Sequence, residues 1–247
     1  MKCNCPDFLI HSLFLFGISL GMLLPNSVSA QRYKYPKFPP SSIDLDGFIP
    51  KGYLLVESQQ ADLNQDGIED WVWVAEYEKY VSEAVDLMGI EPETLSKPRI
   101  LGIAFGRLDG AYQLALQNNT FVLRRGEGGM GKDPLKDLTV HPDQTIEVHF
   151  LRTFPNTEWE ATYIWQFQDQ VFRLIRAETV EYDRMHGDKR NIQYDFVTGK
   201  IRTSYGNALA RRRRPNITWI KLKKPVDITL KTISHPLSQE VIDGFRL

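Results

Sequence analysis

Thiols are nearly missing from this chain: of 247 residues only Cys3 and Cys5 are cysteines, both within the first five positions. Once that start is removed, disulfides, cysteine-ligated zinc and cysteine nucleophiles are excluded by composition. Long hydrophobic runs are scarce too. The one mostly apolar stretch, residues 8–24, has 17 positions and contains His11 and Ser12, which puts it at the lower limit for a membrane span. Familiar enzyme signatures are absent: no H-E-x-x-H, no G-x-S-x-G, and no glycine loop ending in G-K-[ST]. The later histidines (His141, His149, His186 and His235) are scattered, and the net charge is −1.

The start has its own pattern. Lys2 precedes the apolar stretch, which is followed by Pro25 and the small-residue ending Val28-Ser29-Ala30. This predicts a secretory signal peptide over residues 1–30, cleaved after Ala30, with an uncleaved anchor as the alternative. A lipoprotein needs its cysteine directly after the apolar run, whereas Cys3 and Cys5 precede it. The expected mature protein is secreted or periplasmic, with no stable membrane insertion and no nucleic-acid partner. Its 217 residues are enough for a core without covalent staples.

Residues 62–70 read Asp-Leu-Asn-Gln-Asp-Gly-Ile-Glu-Asp, the most specific stretch of the chain. Oxygen-bearing side chains fall at positions 1, 3, 5 and 9, with glycine at position 6, where the backbone must turn sharply. Such a loop can surround a hard cation such as Ca2+, which takes six to eight oxygens. The ligands would be Asp62, Asn64 and Asp66 through side chains, Ile68 through its carbonyl, and Asp70 through a closing carboxylate. The alternative is an acidic surface turn, which the same residue types favour. An EF-hand is excluded, since Trp73 stands where a bidentate glutamate is required and both flanks (residues 53–56 and 71–75) are rich in strand formers. The loop resembles the aspartate-rich calcium loops of FG-GAP and VCBS-type repeats, found in integrin-like propellers and many secreted bacterial proteins. That resemblance, about nine residues and their flanks, implies a structural calcium ion held between two strands. A propeller needs the motif several times, and it occurs once.

Beyond a Pro-rich extended leader at residues 31–50, the pattern of residues 51–247 is that of a single β-rich domain with a basic C-terminal segment. Leu101, Ile103 and Phe105 share a face, Asp109-Gly110 turns the chain, and Tyr112, Leu114 and Leu116 return. Trp159, Ala161, Tyr163, Trp165 and Phe167 alternate with polar residues, and further turns follow at Asp169-Gln170, Gly187-Asp188 and Thr198-Gly199. Short turns between alternating strands require antiparallel neighbours. The prediction is a mainly β fold, an antiparallel meander forming a barrel or a sandwich, with one short helix or lid near residues 80–97.

Other candidates carry less specific chemistry. Glu158 and Glu160 have the residue type of a glycosidase pair, or they keep one strand face wet. Trp159, Tyr163 and Trp165 stack on sugars or fill the core. The glycine-rich residues 124–137 form a ligand loop or a flexible connection. Asn118-Asn-Thr120 and Asn216-Ile-Thr218 fit glycosylation sequons of a eukaryotic secretory route. Charge is uneven: thirteen acids against Lys51 and Lys79 over residues 44–93, then ten basic residues against Asp227 over residues 200–231. Arg211, Arg212, Arg213 and Arg214 are a candidate contact for an anionic envelope polymer or a protein partner, or simply solvated charge. The sequence thus predicts an exported calcium-binding β protein that acts by binding, with no catalytic residue assigned. The competing class is a secreted hydrolase of envelope glycans.

Overall fold

Side-chain alternation along the strands sets the architecture. The computed structural model describes residues 33–84, 93–210, 214–236 and 239–247, without the side chains of residues 83, 84, 93 and 94. The expected signal peptide and Arg211, Arg212 and Arg213 lie outside these residues. The unit described runs Gln31–Leu247.

In chain order the strands are β1 (Ser41–Ser42), β2 (Tyr53–Ala61), β3 (Asp70–Tyr77), β4 (Val81–Ala84), β5 (Glu93–Ser96), β6 (Arg99–Gly106), β7 (Tyr112–Asn118) and β8 (Leu135–Val140). They continue as β9 (Ile146–Thr153), β10 (Thr157–Gln168), β11 (Val171–Asp183), β12 (Asp188–Asp195), β13 (Lys200–Asn207), β14 (Asn216–Lys221), β15 (Glu240–Ile242) and β16 (Phe245–Arg246). The first large sheet has the order β1-β7-β6-β3-β2, and the second runs β14 through β8 in unbroken sequence order. Pairing in both is antiparallel. The predicted turns hold. Asp169 and Gln170, for instance, both take left-handed backbone (φ 49° and 65°), which suits a two-residue hairpin between twisted strands.

The fold is a sandwich, and no closed barrel forms among the described residues. Val72, Val74, Leu101 and Ile103 of the first sheet share one core with Phe150, Tyr163, Trp165 and Ile192 of the second. Phe121 meets Phe150, Tyr163 and Trp165 edge-on at centroid distances of 5.2–5.8 Å, a favoured aromatic arrangement. The aromatic set Tyr163 and Trp165 is therefore core.

The leader, described from residue 33, is packed, and within it Asp46–Phe48 form a short 3-10 helix. Phe38, Leu45 and Phe48 cover the opposite face of the first sheet and bury Trp73, Ala75, Ile100 and Ala104. Phe38 and Phe48 lie against the Trp73 ring at 5.4 and 5.2 Å. The Gln117 side chain ties the leader down, accepting from the Phe38 amide and donating to the Pro36 carbonyl. A bulge in β7, where Ala104 pairs Leu114 and Ile103 pairs Leu116, sends Leu114 towards the leader and Leu116 towards the sandwich. The face predicted to hold both is thus divided.

The helix or lid expected near residues 80–97 is corrected at both ends. β4 and β5 pair antiparallel there, from Val81 opposite Ser96 to Ala84 opposite Glu93. The helical spacing expected there rests on Val81, Val85 and Leu87-Met88, of which only Val81 lies within the described residues, and four-residue strands leave little periodicity to read. No helix among the described residues is long and apolar enough to cross a membrane.

Candidate functional site

The aspartate-rich loop connects β2 to β3, as the flanking strand formers predicted. Its backbone is left-handed at Gln65 and at Gly67 (φ 64° and 85°), and the side chains fold inwards to support that reversal. Asp62 accepts from the Asp66 amide through Oδ1 (3.0 Å) and from the Gly67 amide through Oδ2 (2.9 Å). Asn64 Oδ1 accepts from the Asp66 amide (3.0 Å), and Asp66 Oδ1 from the Ile68 amide (2.9 Å). The Asn64 side-chain amide donates to Asp66 Oδ2 at 2.9 Å. An ionised carboxylate has about four lone-pair sites, so Asp62 and Asp66 retain acceptor capacity.

Asp70 is different. It is fully buried; Oδ2 accepts from the amides of Leu63 (2.8 Å) and Asn64 (3.3 Å), and Oδ1 from the amide of Gly106 (2.9 Å). One carboxylate thus joins the start of the loop, the start of β3 and the end of β6. Burial pushes the Asp70 carboxyl up, and the three amides offset that only in part. Among the described residues no group of three or more His, Cys, Asp or Glu side chains gathers as a metal site. The donors that remain on the loop are all oxygens (Asp62, Asn64, Asp66 and the Ile68 carbonyl). That set fits a hard cation completing its shell with water. Asp70 fits best as the clamp that fixes their positions.

The other candidates disperse. Glu158 pairs with Arg184, and Glu160 Oε1 lies 2.8 Å from His149 Nε2. Both acids stand on the outer face of the second sheet, two residues apart on β10 and opposite Tyr182 and Val180 of β11. Glu158 lines a cavity of about 390 Å3 with Trp159, Glu181, Arg190 and Tyr205, without Glu160 and without any residue of the glycine-rich loop. Each described histidine lies beside a carboxylate of its own: His141 with Glu147, His149 with Glu160, His186 with Asp183 and His235 with Glu127. Of the arginine run only Arg214 is described, and it is exposed.

The glycine-rich loop permits close approach, and what it approaches is the protein itself. A Cβ on Gly126 would meet the Leu95 carbonyl oxygen at 2.5 Å, and one on Gly129 would meet that of Thr153 at 2.3 Å. A charge network invisible in the sequence pattern anchors the same loop. Arg99, fully buried, donates through Nε to Glu76 Oε2 (2.8 Å), through Nη1 to Asp133 Oδ1 (2.7 Å) and to the Leu123 carbonyl (3.1 Å). Arg125 bridges the same two carboxylates, 2.9 Å from each. Burial works against the Asp133 carboxylate, but the Arg99 hydrogen bond and charge, with Arg125 behind them, outweigh it and hold its pKa below the usual value. The available signal was Arg99 itself, a charge opening the otherwise apolar strand of residues 100–105.

The chain matches no protein-family model, and neither a curated protein nor a solved structure matches it significantly.

Proposed function

We propose that this is an exported β-sandwich protein that holds one structural calcium ion in residues 62–70 and acts by binding an anionic envelope polymer or a protein partner. The observation that carries the calcium reading is the loop geometry. Asp62, Asn64 and Asp66 turn their oxygens onto one left-handed reversal, and Asp70 locks both ends of it to the first sheet. The uneven charge supports the binding half, with Arg214 and Lys221 exposed around β14, where the basic C-terminal segment lies. A hydrolase is less well supported, because Glu158 and Glu160 each face a separate partner, Arg184 and His149, and share no described pocket.

The calcium reading is tested by melting the protein with about 1 mM Ca2+ and with excess chelator. A site of about 10⁻⁴ M affinity, typical of extracellular modules, would be worth about 1.4 kcal/mol by mass action. For a chain of this size that is about 3–5 °C in Tm. Asp66→Ala is expected to melt like the chelated wild type and to be insensitive to Ca2+. Identical wild-type curves in both conditions overturn the calcium reading.

A further inference from the structure

We infer a ligand site for a carboxylated, uronic-acid-type glycan on the outer face of the second sheet, in the groove between Trp219 and Arg176. The inference rests on the proposed anionic partner for its choice of ligand charge, and it is independent of the calcium loop. The register across the sheet aligns Thr162, Glu178, Gln193, Arg202 and Trp219 on five successive strands, β10 to β14. The next row holds Ile164, Arg176, Asp195 and Lys200. Their neighbours along the strands, Ala177, Tyr194 and Ile201, are buried in the core, so both rows face outwards. Between them lies a groove of about 290 Å3, at the lower end of the range for small-molecule sites and suited to one sugar ring at a time.

The shape has a local cause. The β10–β11 register shifts between Ile164 and Trp165, leaving Ile175 unpaired immediately before Arg176. A bulge of this kind bends its strand and re-aims the side chain that follows.

The basic side chains of the groove are largely uncommitted. The Arg176 and Lys200 side chains make no hydrogen bond or ion pair among the described residues, and the Arg202 guanidinium has only a long 3.4 Å contact with Gln193 Oε1. Two carboxylates share the groove, Glu178 accepting from the side-chain amides of Asn191 and Gln193 and Asp195 from the backbone amide of Thr198, so that three cations face two acids there. Two free guanidinium groups are matched to carboxylates, which they grip through paired donors. Beside them Trp219, 63% exposed, offers an indole face on which the apolar side of a sugar ring can be buried. Five strands at about 4.8 Å spacing make the groove about 19 Å wide, and it runs across the strands. An extended peptide added to the free edge of β14 would run along the strands instead, which favours the glycan.

Calorimetric titration of the purified chain with hexagalacturonate, and with its carboxyl-reduced neutral analogue, tests the site. Binding at least tenfold tighter for the charged oligomer is expected. Arg202→Gln and Trp219→Ala are each expected to weaken it at least tenfold without shifting Tm, since both side chains lie on the surface. Undiminished binding in these two variants overturns the groove. If replacing Arg211, Arg212, Arg213 and Arg214 with glutamine then abolishes binding, the anionic-partner reading survives without the groove. Tighter binding of hexaglutamate than of hexagalacturonate overturns the glycan in favour of an acidic peptide on the β14 edge. No binding of either oligomer overturns the groove and its anionic ligand together.

Discussion

The two sheets of this molecule solve the same burial problem in opposite ways. The five-stranded sheet is covered on both faces, by the second sheet on one side and by the leader on the other, so β3 and β6 are buried almost throughout. The seven-stranded sheet is covered on its inner face only, and its strands alternate buried with half-exposed residues. A sheet buried on both faces has nowhere to place a charge without a partner inside the protein, whereas a sheet open on one face can leave cations facing water. The Arg99 network and the groove around Arg202 are the two outcomes. Rigidity and polar satisfaction belong to the first sheet, and surface available for recognition belongs to the second.

Breaking the buried network should give the largest effect. Arg99→Ala leaves Glu76 and Asp133 with the half-buried Arg125 as their shared cation and removes the fully buried one, and removing one partner of a buried ion network typically destabilises by about 3–5 kcal/mol. Denaturant unfolding of the variant measures this; a loss below about 1 kcal/mol would mean that the two carboxylates are hydrated rather than held. Stripping the leader from the first sheet comes next. Phe48→Ala removes a fully buried ring and should lower stability by about 3 kcal/mol or more. Ser204→Ala, on the open face of the second sheet, should change it by no more than about 0.5 kcal/mol. Similar values for these two substitutions would erase the distinction between the covered and open sheets.

The smallest effect is a dependence on acid. Asp133 has its pKa lowered in the folded state, so its contribution is fully present above the unfolded-state value of about 3.9 and is lost as pH falls through the lower folded value. Denaturant midpoints measured from pH 5 down to pH 2 should therefore fall more steeply for the wild type than for Asp133→Asn. Parallel curves would show that Asp133 has no part in the acid response.

The second sheet was legible because it is regular. Its strands are neighbours in sequence, its turn residues supply the required backbone, and one wet face imprints a period of two on residues 157–168 and 171–182. The first sheet was less so. With both faces covered, β3 shows a continuous apolar run in place of alternation, and its cover is a proline-bearing segment whose composition is that of exposed chain. Residues 80–97 suggest a helix through the spacing of Val81, Val85 and Leu87-Met88, whereas two four-residue strands are too short to display their own period. At the site, the loop was legible because its donors are consecutive in sequence. The buried network joins Glu76, Arg99 and Asp133, separated by 23 and 34 positions, and only the fold brings them together. The groove was missed for the same reason: it takes residues from each of five strands, and most of them are ordinary polar residues on a wet face.

Leader packing also has a consequence for the order of events during synthesis. Ser41 pairs with Gln113, and the side chain that fastens Phe38 belongs to Gln117. The aromatic residues of the leader therefore leave the ribosome long before the strands they cover exist. Until residue 118 has emerged, Phe38 and Phe48 have no finished surface to rest on. The second sheet, in which every strand pairs with one already made, imposes no such wait. Of the segments that build the first sheet and its cover, the leader is made first and fitted last.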